Sequence, residues 1–309
     1  MKAGKAFEIF IKRLLVSIGF SEVKSDGLYV FDGSPGQMIQ GLGEAHNADV
    51  LLEPPVQTPF FYKTRLVIEC KEYNKKIGLN IVRSLLGLRE DINHFEMIDV
   101  NELMERRSQR RRGIISSYDR YTYQVAIVSL EGYTSQAQKF AATHRIPLIE
   151  FNKMVLVDKF EEVWEEISLD SRLTDNEKEE RINNLAERIG NKMAVAITNS
   201  GQMLFLYREF GEKNIFSDEY NLYWISPELS WKLVSGGIQY SFQLPKSIME
   251  QWLNNVNNDL KMKKEALNCK EKLLSSMIVY YRENNYPAIK MISIDRENLE
   301  GAKNEYKIE

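Results

Sequence analysis

The chain has 309 residues, of which 43% are hydrophobic and 28% are charged, and its formal net charge is −3. This composition is typical of a soluble globular protein of about two domains. The net charge excludes a protein that binds nucleic acid through an overall basic surface, so a nucleic-acid contact would need a local basic patch. Two cysteines and three histidines are too few for a disulfide framework or a Cys/His zinc site, and no apolar run is long enough to span a membrane, so we expect a cytoplasmic protein.

The first half of the chain alternates between helical and strand patterns. Apolar residues at helical spacing predict helices over residues 4–19, 81–93 and 134–144. Short apolar runs rich in β-branched residues predict strands over residues 28–31, 48–52, 65–71, 123–129 and 147–151. This order predicts an α/β domain over residues 1–168, with a central mixed sheet flanked by helices.

The character of the chain changes after the charged segment 168–181. Asn199-Ser200-Gly201 lies between two apolar runs and predicts a hairpin of residues 193–198 and 202–207. Further strands are predicted over residues 220–225, 237–242 and 288–294, with one long helix over residues 248–281. We therefore expect an α+β accessory domain over residues 169–309, which serves target recognition, partner docking or oligomerisation.

Charged residues interrupt two of the predicted strands at positions that favour a common site. Glu69 and Lys71 are two residues apart and therefore point to the same face of their strand, whereas Cys70 points to the other. If Asp49 lies on the neighbouring strand, two carboxylates and one ammonium converge. Carboxylate oxygens suit Mg²⁺, and this set can hydrolyse a phosphodiester, with Lys71 orienting the attacking water.

A third carboxylate, Glu8, lies in the first predicted helix between two apolar residues, Phe7 and Ile9. A charge at this position could complete the metal site or hold a second ion. The alternative for each acid taken singly is a solvated surface residue.

These residues follow one another in the order of a known superfamily. The pieces are Gly4-x-x-Phe7-Glu8, Ala48-Asp49, Ile68-Glu69-Cys70-Lys71, and the segments 132–137 and 146–149. With them, residues 4 to about 157 resemble the PD-(D/E)XK restriction-endonuclease-like superfamily, most closely its Mrr-like branch. The chain departs from the pattern at Ala48, where the family has proline, and it lacks the glutamine that many Mrr-like members carry in the helix after the lysine.

The resemblance implies a restriction-endonuclease-like core and metal-dependent hydrolysis of DNA. It places Glu8, Asp49, Glu69 and Lys71 in the catalytic positions. The implied metal ligands are Asp49, Glu69, Glu8 and the backbone carbonyl of Cys70. Mg²⁺ is the expected cofactor, and Mn²⁺ is expected to substitute for it.

A run of arginines in the segment 105–112 is the strongest local basic patch. Arginine forks match phosphate oxygens, so the run is predicted to contact DNA through Arg106, Arg107, Arg110, Arg111 and Arg112. The alternative is a solvated face that pairs with nearby acids.

The expected function is thus that of a DNA endonuclease in restriction or anti-phage defence. Cutting both strands of a duplex takes two sites, which favours a homo-oligomer, and the second half could bind a protein partner. Two alternatives remain open: a non-catalytic DNA-binding or assembly subunit of a larger complex, and an RNA rather than a DNA target.

Overall fold

The computed structural model describes residues 4–34, 36–57, 61–95, 120–151, 164, 166–167, 170, 172–210, 216–225, 230–244, 249 and 259–305. The helices of these ranges are α1 Lys5–Ile18, α2 Leu79–His94, α3 Ser135–Thr143, α4 Asp175–Gly190, α5 Asp259–Leu273 and α6 Arg296–Glu305. None of the helices in this part of the chain is long and apolar enough to cross a membrane.

The strands form three sheets. A five-stranded sheet has the order β1-β5-β6-β7-β8, and a seven-stranded sheet has the order β11-β12-β13-β10-β9-β14-β15. The smallest sheet joins β2, β3 and β4. Their bounds are β1 Ser21–Glu22, β2 Val30–Gly33, β3 Gly36–Gln40, β4 Ala45–Asn47, β5 Val50–Glu53, β6 Lys63–Lys71, β7 Tyr121–Ser129, β8 Leu148–Glu150, β9 Met193–Thr198, β10 Met203–Phe210, β11 Tyr220–Ile225, β12 Ser230–Ser235, β13 Ile238–Phe242, β14 Ser276–Glu283 and β15 Tyr286–Ser293.

The five-stranded sheet is mixed. Strand β5 is antiparallel to both β1 and β6, whereas β6, β7 and β8 run parallel to one another. Parallel neighbours need crossover connections, which the helical segments between these strands supply. One face of the sheet packs against α1, and the opposite face packs against α2 and α3. The chain is therefore a mixed α/β protein with helices on both faces of this sheet.

Helix α1 packs against both large sheets. Its apolar side chains share one core with strands of the five-stranded sheet, with α4 and with strands β9, β10 and β14 of the seven-stranded sheet. Aromatic rings continue this core from Phe10 to Phe151 and on to Phe205, and Phe20 contacts Tyr280. Residues before and after the predicted boundary at 168 thus share a core, while residues 168, 169 and 171 lie outside the described ranges.

The prediction of one helix over residues 248–281 is wrong at its end. Helix α5 ends at Leu273, and strand β14 begins at Ser276. Side chains of this strand alternate between two cores, with Met277 in one and Tyr280 in the other. Because both faces of β14 are covered, its residues 277–281 are all apolar or aromatic, and such a run does not differ in periodicity from a buried helix.

Candidate active site

The pairing of β5 with β6 brings the predicted site residues together. Val50 lies opposite Ile68, so that Asp49, one residue earlier, lies opposite Glu69. Glu69 and Lys71 share one face of β6, as their spacing predicts, and Cys70 points into the core on the α1 side. The structure thus brings Asp49 together with the two charged residues of β6.

The three charged side chains interact directly. The Lys71 ammonium forms an ion pair with Oε1 of Glu69 and lies 3.9 Å from Oδ2 of Asp49. The same Asp49 oxygen accepts a hydrogen bond from the backbone N–H of Cys70 at 2.9 Å. The side chains are 12–24% exposed, so each keeps one open side. A ligand can therefore reach the charged groups while the protein fixes their positions.

Glu8 lies near the start of α1 and is 20% exposed. Its carboxylate pairs with the Lys5 ammonium at 2.8 Å. The Glu8 charge still acts on the site, because it contributes to the raised pKa of Glu69. Glu8 therefore belongs to the same electrostatic cluster as Asp49 and Glu69.

Burial and crowding of negative charge shift the protonation equilibria here. Burial raises the pKa of Glu69, and the Asp49 carboxylate raises it further, against the opposing effect of Lys71. Burial alone would lower the pKa of Lys71, but its hydrogen bond and charge interaction with Glu69 raise it. Lys71 is thus held in its charged form. The carboxylates of Asp49 and Glu69 carry more negative charge than the Lys71 ammonium neutralises. Such a cluster attracts a further cation.

Replacing Glu69 with glutamine is expected to change how stability depends on pH. The pKa of folded Glu69 lies above the ordinary 4.5, so the folded protein holds this proton more tightly than the unfolded chain. Its contribution to the free energy of unfolding therefore falls as pH rises through the interval above 4.5. As the pH rises from about 4 to about 7, the free energy of unfolding of Glu69→Gln in urea is expected to increase relative to that of wild type.

The matched control is Glu300→Gln, which changes an exposed carboxylate on α6. A Glu69→Gln variant that loses stability relative to wild type over the same pH interval would contradict the expectation.

The donor set is too small for a metal cage made of protein alone. Within the described ranges, no group of three or more His, Cys, Asp or Glu side chains is placed to hold a metal ion. Mg²⁺ is usually bound by one or two carboxylates, with waters and substrate phosphates in its other positions. Asp49 and Glu69 meet that smaller requirement. The side chain of Cys70 is buried in the core, and burial raises its pKa well above the ordinary value, so only its backbone could contribute.

The role of the basic patch stays a prediction, whereas a histidine close to the motif makes a structural contact. The arginine run that includes Arg106, Arg107, Arg110, Arg111 and Arg112 lies outside the described residues, and its role stays a prediction. His46, three residues before Asp49, lies in β4, and its Nε2 is 2.7 Å from Oδ2 of Asp91 on α2. This pair ties the small sheet to α2.

Two residues next to the motif were missed by the sequence argument. The ring centroid of Tyr73 lies 5.9 Å from the Lys71 ammonium. Glu72 accepts a hydrogen bond at 2.8 Å from the indole N–H of Trp164, which is buried against Phe7 and Phe10. No strand pattern identifies Tyr73, because β6 ends at Lys71 and the alternation of faces ends with it.

Comparisons with known proteins assign no function to the site. No protein-family model and no curated protein matches the chain. A crystal structure of a protein of unknown function, AF1548, is similar over 60% of this chain and 97% of its own, at 16% sequence identity and a TM-score of 0.30. A TM-score this low does not relate the two folds.

Proposed function

We propose that this protein is a Mg²⁺-dependent nuclease that hydrolyses DNA phosphodiester bonds at the cluster of Asp49, Glu69 and Lys71. The observation that carries the proposal is the convergence of two part-buried carboxylates and one ammonium at the β5–β6 pair, each open on one side. A buried structural ion pair needs one acid for one base. The second carboxylate and the raised pKa of Glu69 favour a site built for a cation.

The residues fit Mg²⁺ by their chemistry. Asp49 and Glu69 would hold the ion with hard oxygen atoms, the backbone carbonyl of Cys70 and the carboxylate of Glu8 being further candidates. When bound, Mg²⁺ supplies charge stabilisation on the scissile phosphate and a lower pKa for the attacking water. Mn²⁺ has similar ligand preferences and is expected to substitute.

The remaining roles belong to the side chains themselves. With the Glu69 carboxylate engaged by a cation, the Lys71 ammonium would be free to face the substrate. Because its pKa is raised, Lys71 stays charged at neutral pH and can orient a water or stabilise negative charge on the phosphate. The Cys70 N–H holds Asp49 in place. Fixed charges of this kind need no rearrangement during the reaction.

The wider assignment follows from the sequence resemblance. A mixed sheet with helices on both faces is compatible with the restriction-endonuclease-like core that the PD-(D/E)XK motifs imply. We propose restriction or anti-phage defence as the setting, with a homo-oligomer on DNA and residues 169–309 as the recognition or partner-docking part. Light scattering that finds only monomer, with and without DNA, would count against the homo-oligomer.

Cleavage of supercoiled plasmid and of single-stranded RNA across a Mg²⁺ titration tests the function. Wild type is expected to nick or linearise the plasmid only with Mg²⁺, and Asp49→Asn is expected to lower the rate by roughly 10²–10³-fold. Glu300→Gln, the exposed matched control, is expected to cut like wild type.

Cleavage of RNA alone would change the substrate. DNA binding without any cleavage would support the alternative of a non-catalytic DNA-binding or assembly subunit.

A further inference from the structure

The loop between β6 and α2 is fixed at both ends beside the candidate site. At its start, Glu72 is held by the indole of Trp164, which is 4% exposed. At its end, the backbone N–H of Ile77 donates to the carbonyl of Gly132 at 2.8 Å, and Ile77 is buried. The four residues between these anchors, 73–76, therefore form a short span whose position relative to Lys71 is set by the core.

The side chains of this span are exposed, and three of them are aromatic or basic. Tyr73 is 42% exposed, with its ring beside the Lys71 ammonium. Lys75 and Lys76 are both exposed, and neither forms an ion pair with any residue that the structure describes. Helix α2 starts directly afterwards at Leu79, with no acidic residue in its first turn, so the positive end of its dipole adds positive potential beside the loop.

The negative charge of the site gives a positively charged loop beside it a physical role. Two carboxylates, those of Asp49 and Glu69, share the Lys71 ammonium, and Glu8 pairs with Lys5, so one negative charge stays uncompensated. A phosphodiester strand is itself polyanionic and is repelled by this cluster unless cations flank it. Two neighbouring lysines on an anchored loop can supply those cations, and an exposed aromatic ring can pack against a sugar or base.

We propose that Tyr73, Lys75 and Lys76 form a loop that binds the nucleic-acid backbone next to the scissile phosphate. The two lysines contact phosphates that flank the cut, and the Tyr73 ring stacks on the adjacent nucleotide. The identity of the ligand as a nucleic-acid strand rests on the proposed function. The ligand chemistry is a phosphodiester backbone, which DNA and RNA share.

The test measures binding rather than cleavage. Fluorescence anisotropy follows the affinity of the full chain for a labelled DNA duplex and for a single-stranded RNA, without divalent cations, over a range of salt concentrations. The double variant Lys75→Ala/Lys76→Ala is expected to bind roughly tenfold more weakly, and the slope of log affinity against log salt should shrink by about 2, one for each lysine.

A matched variant controls for net charge. Lys263→Ala/Lys264→Ala removes a neighbouring pair of exposed lysines from α5, which packs on the far face of the seven-stranded sheet. This control is expected to keep the wild-type affinity and slope. For the aromatic ring, Tyr73→Leu is expected to weaken binding by roughly tenfold, and Tyr73→Phe should retain it, because stacking needs the ring and not the hydroxyl.

The outcomes separate this loop from the nuclease itself. A wild type that cuts DNA while the loop variant keeps the wild-type slope would overturn the loop proposal and leave the nuclease standing. A slope that shrinks in a protein without cleavage would keep the loop and reject the nuclease. The nucleic acid whose slope changes identifies the strand, and a wild type that binds neither would overturn the loop proposal.

Discussion

Lys71→Met is expected to lower the rate of DNA cleavage by roughly 10²–10³-fold while leaving Mg²⁺ binding intact. Methionine keeps an unbranched apolar stem that is one heavy atom shorter than lysine, and it removes the charge. In the proposed mechanism that charge acts on the water or the phosphate, so its loss affects the reaction step. The two carboxylates that would hold the cation, Asp49 and Glu69, remain in place.

The electrostatics of the site predict a second result for the same variant. Without the ammonium, Asp49 and Glu69 face each other uncompensated, which destabilises the metal-free protein. A bound cation relieves that repulsion. The increase in thermal unfolding temperature on adding Mg²⁺ is therefore expected to be at least as large in Lys71→Met as in wild type, and to be lost in Asp49→Asn.

This pair of measurements separates metal binding from the chemistry. Lys264→Met removes an exposed lysine on α5 and is the matched control, expected to resemble wild type in both rate and thermal shift. A Lys71→Met protein that cuts at the wild-type rate would remove lysine from the mechanism. Loss of the Mg²⁺ shift in Lys71→Met would instead show that the lysine is needed for cation binding.

Phe10→Ala is expected to lower the free energy of unfolding by about 3–5 kcal/mol, the usual cost of removing a buried aromatic side chain. Phe10 is fully buried in α1, with ring centroids 5.3 Å from Phe151 and 5.6 Å from Trp164. Since the same core includes strands of both large sheets, the cavity should weaken the whole molecule. We expect a single unfolding transition that moves to lower denaturant concentration.

Urea unfolding followed by circular dichroism and by tryptophan fluorescence checks this expectation. The two signals should move together, because the core that contains Phe10 includes strands of both large sheets. Phe61→Ala, at a phenylalanine that is 77% exposed, is the control and should change stability by less than about 0.5 kcal/mol. Separate transitions for the two probes would show that the sheets unfold independently.

Much of the site was predictable because its chemistry follows from local periodicity. A strand alternates its side chains, so the spacing of Glu69, Cys70 and Lys71 already separates the two charged residues from the cysteine. The apolar spacing of α1 likewise predicts which of its faces is buried. These properties depend on neighbours along the chain, so they can be predicted from the order of the residues.

Other features depend on contacts between distant segments. The opposition of Asp49 and Glu69 depends on the β5–β6 register, and the position of Glu8 depends on how α1 packs on the sheet. Tyr73 lies beyond the end of β6, so its contact with Lys71 depends on how the loop is anchored through Trp164. No local pattern carries this information.

The same distinction explains the error in the second half. Residues of β14 are apolar on both faces, because one face meets the core around α1 and the other meets the core of the seven-stranded sheet. A segment covered on both sides loses the alternation that identifies a strand. The apolar run shows that these residues are buried. Their pairing as a strand with β9 and β15 follows from the fold, because pairing requires partners that distant segments bring together.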